Sequence, residues 1–182
     1  MTVVAAQTLT VEEYLESERR AEIRHEYVDG TLLPMPDTTR THGHMVANIL
    51  VALRPTVLAR GCEIQASDVM TRTQGTRFRY PDIVVSCNPG SDPYLLENPC
   101  FIAEITSDST ADTDHGRKLE EYTKLPSLER YAIISQAQRF VIVYKLVNGA
   151  WTFETHSDAG EFGIPCLSAN LSLDQIYAGV AI

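Results

Sequence analysis

The spacing of apolar residues along the chain predicts a long helix followed by a strand-rich middle. Apolar residues recur with helical spacing over residues 41–59, and Gly61 is suited to end such a helix. Pro55 lies inside this segment, so the sequence predicts a kink there or a break into two helices.

Local signals near the N-terminus predict a helix and then a hairpin. Thr10 and Glu13 have the spacing of a capping box, which predicts a short helix that ends near Arg19. Residues 26–33 contain an Asp-Gly pair between apolar runs, which is a strong signal for a two-residue hairpin turn.

The middle of the chain alternates in the manner of strands, and helices are expected on both sides of it. Residues 63–72 and 76–86 are predicted to pair as a hairpin around Gln74-Gly75. Further strands are predicted at 100–106, 131–135, 139–147 and 151–156, with helices at 113–125, after a turn at 107–110, and at 173–178. This order indicates an α/β or α+β fold with a mixed central β-sheet flanked by helices.

Length and composition indicate an ordinary globular protein. The 182 residues are expected to form one domain, 1–182, and 44% of them are hydrophobic. No apolar stretch approaches the roughly 20 residues that a membrane-spanning helix needs. The N-terminus lacks the basic and apolar segments of a signal peptide, so we expect a cytoplasmic protein without a membrane partner.

Two acids stand at positions where apolar residues are expected. Glu104 lies inside the run Phe101-Ile102-Ala103-Glu104-Ile105, which has the composition of a buried strand. A lone buried carboxylate costs several kcal/mol, roughly, so Glu104 needs a cation nearby. Asp82 opens another apolar run, and two carboxylates on neighbouring strands are able to share one hard divalent cation.

Structural roles are alternatives for both acids. Asp82 follows a proline, where an aspartate often bonds to the backbone of a turn. Glu104 has an alternative role in a buried ion pair with Arg79 or Lys118. The occurrence of both acids with a loop between them favours a site over two independent structural roles.

The order of these motifs along the chain resembles the PD-(D/E)XK nuclease superfamily. More narrowly, it resembles a bacterial family of uncharacterised proteins grouped as restriction endonucleases. The matching motifs are Glu26-x-x-Asp29-Gly30, a helix carrying His44, Tyr80-Pro81-Asp82, a Glu104-x-x-Ser turn ending at Ser109-Thr110, and Asp114-x-x-x-Lys118-x-x-x-Tyr122. The resemblance covers most of the chain and implies a restriction-endonuclease-like fold.

The resemblance also implies a role for each site residue. Asp82 and Glu104 would bind Mg²⁺, with Mn²⁺ as an alternative, and a lysine would orient the attacking water. The superfamily places that lysine two residues after Glu104, where this chain has Thr106. In the narrower family a lysine on the following helix takes its place, and Lys118 matches it, although a solvated surface lysine is the alternative.

Glu26 matches a carboxylate that the family carries early in the chain. It is either a site residue or a surface acid beside a tight turn. The His42-Gly43-His44 spacing does not place both rings on one helical face, so a zinc pair is not expected. His44 matches a family position but is more typical of a helix start or a core, and His115 beside Asp114 is a candidate phosphate contact.

The four cysteines are far apart in sequence and form no CxxC motif. We therefore expect free, buried thiols rather than a zinc knuckle, a dithiol redox motif or disulfides.

The net charge of −9 argues against a protein that coats DNA non-specifically, but it is compatible with a nuclease. Two candidate basic patches are Arg72, Arg77 and Arg79, and Arg117, Lys118 and Lys124. The sequence thus favours a Mg²⁺-dependent endonuclease acting on DNA, with a homodimer as a further expectation. A non-catalytic binding or assembly module on the same fold is the alternative, and a metal-dependent hydrolase of another substrate is a third hypothesis.

Overall fold

A computed structural model describes residues 8–106 and 111–182, with the backbone alone for 111–115. In the first half the elements are α1 (Val11–Glu18), β1 (His25–Val28), β2 (Thr31–Pro34), α2 (Arg40–Ala59), β3 (Glu63–Gln65), β4 (Met70–Gln74), β5 (Arg77–Arg79) and β6 (Ile83–Ser86). The second half has β7 (Leu95–Leu96), β8 (Pro99–Thr106), α3 (Ala111–Tyr122), β9 (Arg130–Ser135), β10 (Phe140–Val147), β11 (Ala150–Ser157), β12 (Glu161–Ile164), a 3-10 helix (Pro165–Leu167), β13 (Ala169–Ser172) and α4 (Leu173–Ile176).

The strands form two main sheets and one small ribbon. The larger sheet has six strands in the order β11-β10-β9-β8-β6-β3, and it is mixed because β8 and β9 are parallel while the other pairs are antiparallel. The second sheet has five strands in the order β2-β1-β5-β4-β7, and β12 pairs with β13. The predicted mixed α+β architecture is confirmed, but the strands divide between two main sheets.

The predicted pairing of residues 63–72 with residues 76–86 is confirmed, but the paired segments divide between two sheets. Strands β4 and β5 pair in the five-stranded sheet, and the outer strands β3 and β6 pair with each other in the larger sheet. The two segments pass from one sheet to the other at neighbouring positions, Ser67 and Pro81. Ser67 has a φ of 45° there, and its N–H donates a hydrogen bond to the carbonyl of Pro81 at 3.1 Å. A continuous apolar pattern does not reveal such a change of sheet.

Other local predictions are confirmed. Thr10 caps α1 with both hydrogen bonds of a capping box, and Asp29 and Gly30 form the turn between β1 and β2 with positive φ values. The predicted long helix is confirmed as α2, but the break considered at Pro55 does not occur, because the helix continues through this residue.

Helices cover both faces of the larger sheet. Phe101, Ala103 and Ile105 of β8 pack in one apolar cluster with Met45 and other residues of α2. Ile102 points the opposite way and packs in a second cluster with Tyr122 of α3. Strand β8 is therefore buried on both sides, which explains its nearly unbroken apolar sequence and makes Glu104 an exception within it.

The prediction of free, buried thiols is wrong. Cys62 is bonded to Cys87, and Cys100 to Cys166, and Cys87 is exposed. Folding brings together residues that are 25 and 66 positions apart, and sequence spacing carries no sign of these contacts. Among the described residues, no helix has the length and apolar composition needed to cross a membrane.

Candidate functional site

Asp82 and Glu104 face each other across two neighbouring strands. Ile83 of β6 is paired with Ala103 of β8 in an antiparallel register, so the next pair along the ladder is Asp82 and Glu104. Directly opposed residues project to the same side of a sheet, with Cβ atoms about 4.5–5.5 Å apart. The two acids of the sequence analysis therefore form a pair on one face of the larger sheet.

Both oxygens of the Asp82 carboxylate have partners. The N–H of Ile105 donates to Oδ2 at 2.8 Å, and Nε2 of His42 lies 3.0 Å from Oδ1. The backbone contact comes from the neighbouring strand rather than from a local turn, so the turn role considered for Asp82 does not apply. These contacts fix the orientation of the carboxylate.

His42 is the site neighbour that sequence reasoning missed. It lies in the first turn of α2 and is buried, whereas His44 is exposed. Burial alone would lower the pKa of His42, but the hydrogen bond and the charge of Asp82 raise this pKa above its ordinary value. The apolar spacing of α2 offered a signal, because His42 stands three residues before the buried Met45 on the same helical face.

Glu104 receives two contacts on one of its oxygens. The hydroxyl of Tyr122 donates to Oε1 at 2.7 Å, and Nζ of Lys118 lies 3.2 Å from the same atom. No described residue donates a hydrogen bond to Oε2. Burial raises the pKa of Glu104 to about 7, because the attraction of Lys118 only partly offsets burial and the charge of Asp82 adds to it.

Lys118 joins Glu104 to Glu26. Its Nζ lies 3.2 Å from Glu104 and 3.3 Å from Oε1 of Glu26, and only 15% of the side chain is exposed. Burial would lower the pKa of Lys118, but the neighbouring carboxylates, Glu104 most of all, raise it. Lys118 is therefore a charged lysine held at the acid pair, not a solvated surface residue.

Glu26 connects this site to a second group of charges. Its Oε2 lies 2.7 Å from Nη1 of Arg79, and 13% of the side chain is exposed, so the surface role considered for it does not apply. Arg79 in turn makes two contacts with the fully buried Glu121, at 2.9 and 3.1 Å. Arg79 therefore does not pair with Glu104, and it is too buried to belong to a basic patch.

The charge balance around Asp82 and Glu104 fits a divalent cation. Glu26, Asp82 and Glu104 are three close acids, and among the described residues the cations that contact them are Lys118, Arg79 and, when protonated, His42. Arg79 is shared with Glu121. Mg²⁺ typically uses one or two carboxylates and completes its shell with water and phosphate oxygens, so the opposed pair is a suitable donor set.

The acids are a pair rather than a compact cage. Within the described part of the chain, the group of metal-ligating side chains whose donor atoms lie within 4.8 Å of one another is Cys87, Cys100 and Cys166. The predicted turn at 107–110 and the side chains of Asp114 and His115 lie outside the described residues, so their predicted contacts stay predictions.

Two curated proteins are similar to this chain over most of its length. The chain is 27% identical over 177 residues to "Uncharacterized protein slr1290" of Synechocystis sp., covering 95% of this chain and 93% of that protein. It is 28% identical over 141 residues to "Uncharacterized protein sll1609" of the same organism, covering 75% of this chain and 80% of that protein.

A solved structure shares the fold. It is described as a "putative nuclease belonging to DUF820" from Anabaena variabilis, and it superposes with a TM-score of 0.78 over 95% of this chain and 99% of that one, at 18% identity. The sequence model of the Uma2 family, described as "Putative restriction endonuclease", matches residues 11–175. The predicted family resemblance and restriction-endonuclease-like fold are confirmed, and the chain belongs to the Uma2 family.

Proposed function

We propose that this protein is a Mg²⁺-dependent nuclease that hydrolyses phosphodiester bonds in DNA. The observation that carries the proposal is the opposed pair of Asp82 and Glu104, with a single lysine, Lys118, held against Glu104. Membership of a family described as restriction endonucleases supports the substrate class.

Asp82 and Glu104 would hold the ion, and Mn²⁺ would serve in place of Mg²⁺. When bound, the ion would polarise the scissile phosphate and lower the pKa of an attacking water. The chain supplies the orientation of both ligands: Ile105 and His42 fix the carboxylate of Asp82, and Tyr122 fixes Oε1 of Glu104. Ligands that are held in place in this way need little rearrangement on binding.

Lys118 would provide the positive charge that the superfamily pattern places at Thr106. Its ammonium group is held at the acid pair from α3 instead of β8, and its raised pKa keeps it protonated at neutral pH. A protonated lysine at this position would stabilise the negative charge that develops on the phosphate during attack. Glu26 positions that lysine from the opposite side.

A plasmid-cleavage assay tests the proposal. Wild-type protein should nick or linearise DNA in Mg²⁺ or Mn²⁺ and lose this activity with chelator. Asp82→Ala and Glu104→Ala should abolish it, while Glu120→Ala, which removes an exposed acid from α3, should not. Metal-dependent cleavage that survives in both site variants would show that the assignment is wrong.

A non-catalytic module on the same fold is the second candidate. It is favoured by Thr106 and by the contacts of Lys118 and Tyr122, which already stabilise Glu104 without a metal. A protein of this class would bind DNA or a partner equally well in chelator and in Mg²⁺, and it would cleave no substrate.

Three further expectations stay predictions. The preference for DNA over other phosphodiester substrates is tested by adding RNA and single-stranded DNA to the same assay. The homodimer is tested by sedimentation at several protein concentrations, and the cytoplasmic location by cell fractionation.

A further inference from the structure

Four cysteines from four separate segments converge at one end of the strands β3, β6 and β8. Cys62 lies between α2 and β3, Cys87 directly follows β6, Cys100 is near the start of β8, and Cys166 is in the 3-10 helix. The antiparallel pairing of Glu63 with Ser86 sets Cys62 beside Cys87, so the ladder itself brings these two together.

The two cysteine pairs are in contact with each other. The sulfur atoms of Cys87, Cys100 and Cys166 lie within 4.8 Å of one another, although Cys87 is bonded to Cys62 and Cys100 to Cys166. Two independent crosslinks in a fold have no need to share one small volume. In a tetrahedral zinc site with Zn–S bonds of about 2.3 Å, the sulfur atoms are roughly 3.8 Å apart. The sulfur atoms of these three cysteines are therefore close enough to share one zinc ion.

We propose that these four cysteines, in their reduced form, are a binding site for Zn²⁺. Thiolate ligands select zinc over Mg²⁺, so the cysteine site and the acid pair would discriminate between the two ions. Cys87, Cys100 and Cys166 would be the central ligands, with Cys62, attached to the same sulfur cluster through Cys87, as the fourth.

The chemistry that connects the two forms is reduction by a thiol. Each disulfide accepts two electrons and two protons from a dithiol, which becomes a cyclic disulfide, and two cysteine thiols result. Binding of Zn²⁺ then replaces the thiol protons, which are released to solvent. A reducing compartment such as the cytoplasm predicted for this protein rarely retains disulfides, so the reduced form is the one expected there.

The zinc site would be structural and separate from the acid pair. Cys100 and Glu104 are four positions apart on β8, which corresponds to about 13 Å along a strand. The four ligands would tie together β3, β6, β8 and the segment between β12 and β13. Zinc binding should therefore stabilise the fold and leave the chemistry of the acid pair unchanged.

Cobalt substitution tests the proposal on the full chain. Protein carrying Asp82→Asn, which weakens the acid site, is reduced with a dithiol, freed of both the dithiol and metal under anaerobic conditions, and titrated with Co²⁺. The expected result is equimolar binding with an intense sulfur-to-cobalt charge-transfer band, displaced by Zn²⁺, and no such band in the oxidised protein. The proposal would be overturned by a cobalt spectrum typical of oxygen ligands or by the absence of cobalt binding after reduction. It would also be overturned if the dithiol failed to reduce the disulfides.

Single substitutions then identify the ligands. Cys166→Ser and Cys62→Ser should each weaken Zn²⁺ binding by about tenfold or more and reduce the charge-transfer band, because losing a ligand costs no less than losing a group that orients one. An unaltered band in Cys166→Ser would contradict the assignment. Should a variant fail to fold, titrations of the oxidised wild-type protein and of the reduced wild-type protein freed of the dithiol decide the question alone.

Discussion

Glu104 and Glu121 are two buried glutamates whose surroundings lead to different expectations. Glu121 is enclosed by Arg79, with two contacts, and by Arg77 at 3.5 Å, and it accepts a hydrogen bond from Thr73. Its charge is therefore fully compensated. Glu104 shares one lysine with Glu26 and lies opposite a further acid, Asp82.

The difference shows how a buried charge indicates function. A compensated pair such as Arg79 and Glu121 has a structural role, and removing one of the two partners should destabilise the fold. Glu104 has less positive charge around it than negative charge. Burial is the main cause of its raised pKa, and the charges of Asp82 and Glu26 add to the effect. Such an imbalance is expected where an additional cation binds.

The largest expected effect is a loss of stability when the ion pair of Arg79 and Glu121 is broken. Arg79→Ala should lower the free energy of unfolding by about 3–5 kcal/mol, because it leaves Glu121 buried without its main partner. Denaturant unfolding measures this loss, with exposed Arg72→Ala as the control. A loss similar to that of the control would show that Arg79 and Glu121 do not stabilise the fold.

Lys118→Ala should affect catalysis instead. We expect the cleavage rate to fall by about 10²–10³-fold, the range for removal of one group that stabilises transition-state charge. Lys124 is an exposed lysine just after the end of the same helix and is paired with Glu120, so Lys124→Ala should retain the wild-type rate. Equal rates for the two variants would remove Lys118 from the site.

His42→Ala should weaken metal binding without abolishing it. His42 contacts the ligand Asp82 and positions it, and loss of such a contact typically costs about 10–100-fold in metal affinity. Titration calorimetry with Mn²⁺ measures the change, and His44→Ala is the matched exposed control. An affinity equal to wild type would limit His42 to a packing role.

Glu104→Gln should stabilise the metal-free protein, by about 1–3 kcal/mol at pH 8. The pKa of Glu104 is raised from 4.5 to about 7 in the fold, so the native state loses stability as the pH rises through this interval and Glu104 ionises. The glutamine variant lacks this loss, and its advantage should vanish below pH 4.5. Thermal unfolding in chelator across this pH range measures the difference.

A Glu104→Gln variant that is less stable than wild type at pH 8 would contradict the contrast drawn between Glu104 and Glu121. It would mean that Lys118 compensates Glu104 as fully as Arg79 compensates Glu121, and it would favour the non-catalytic alternative.

The sequence was informative wherever the signal was local. The Asp-Gly turn and the capping box at Thr10 depend on adjacent residues and were predicted correctly. Asp82 and Glu104 were recognisable because charges interrupt apolar runs. The roles predicted for these acids, Lys118 and Glu26 stay predictions, although the structure brings all four side chains together.

Contacts between residues that are far apart in the sequence were not predictable from such local signals. The role of His42 is not visible in the spacing of the histidines, because its ring contacts an aspartate 40 positions away in the sequence. The partnership of Arg79 with Glu121 and the convergence of four cysteines depend on which strands become neighbours. That information is absent from the periodicity of any single segment.

The central claim, that Asp82 and Glu104 bind a divalent cation, is tested most directly by titration calorimetry with Mn²⁺ at pH 8. The proteins compared are wild type, Asp82→Ala and Asp68→Ala, which removes an exposed acid and serves as the control. We predict binding to wild type and to Asp68→Ala, and its loss in Asp82→Ala. Binding that is unchanged in Asp82→Ala, or absent from the wild type at millimolar metal, would contradict the account.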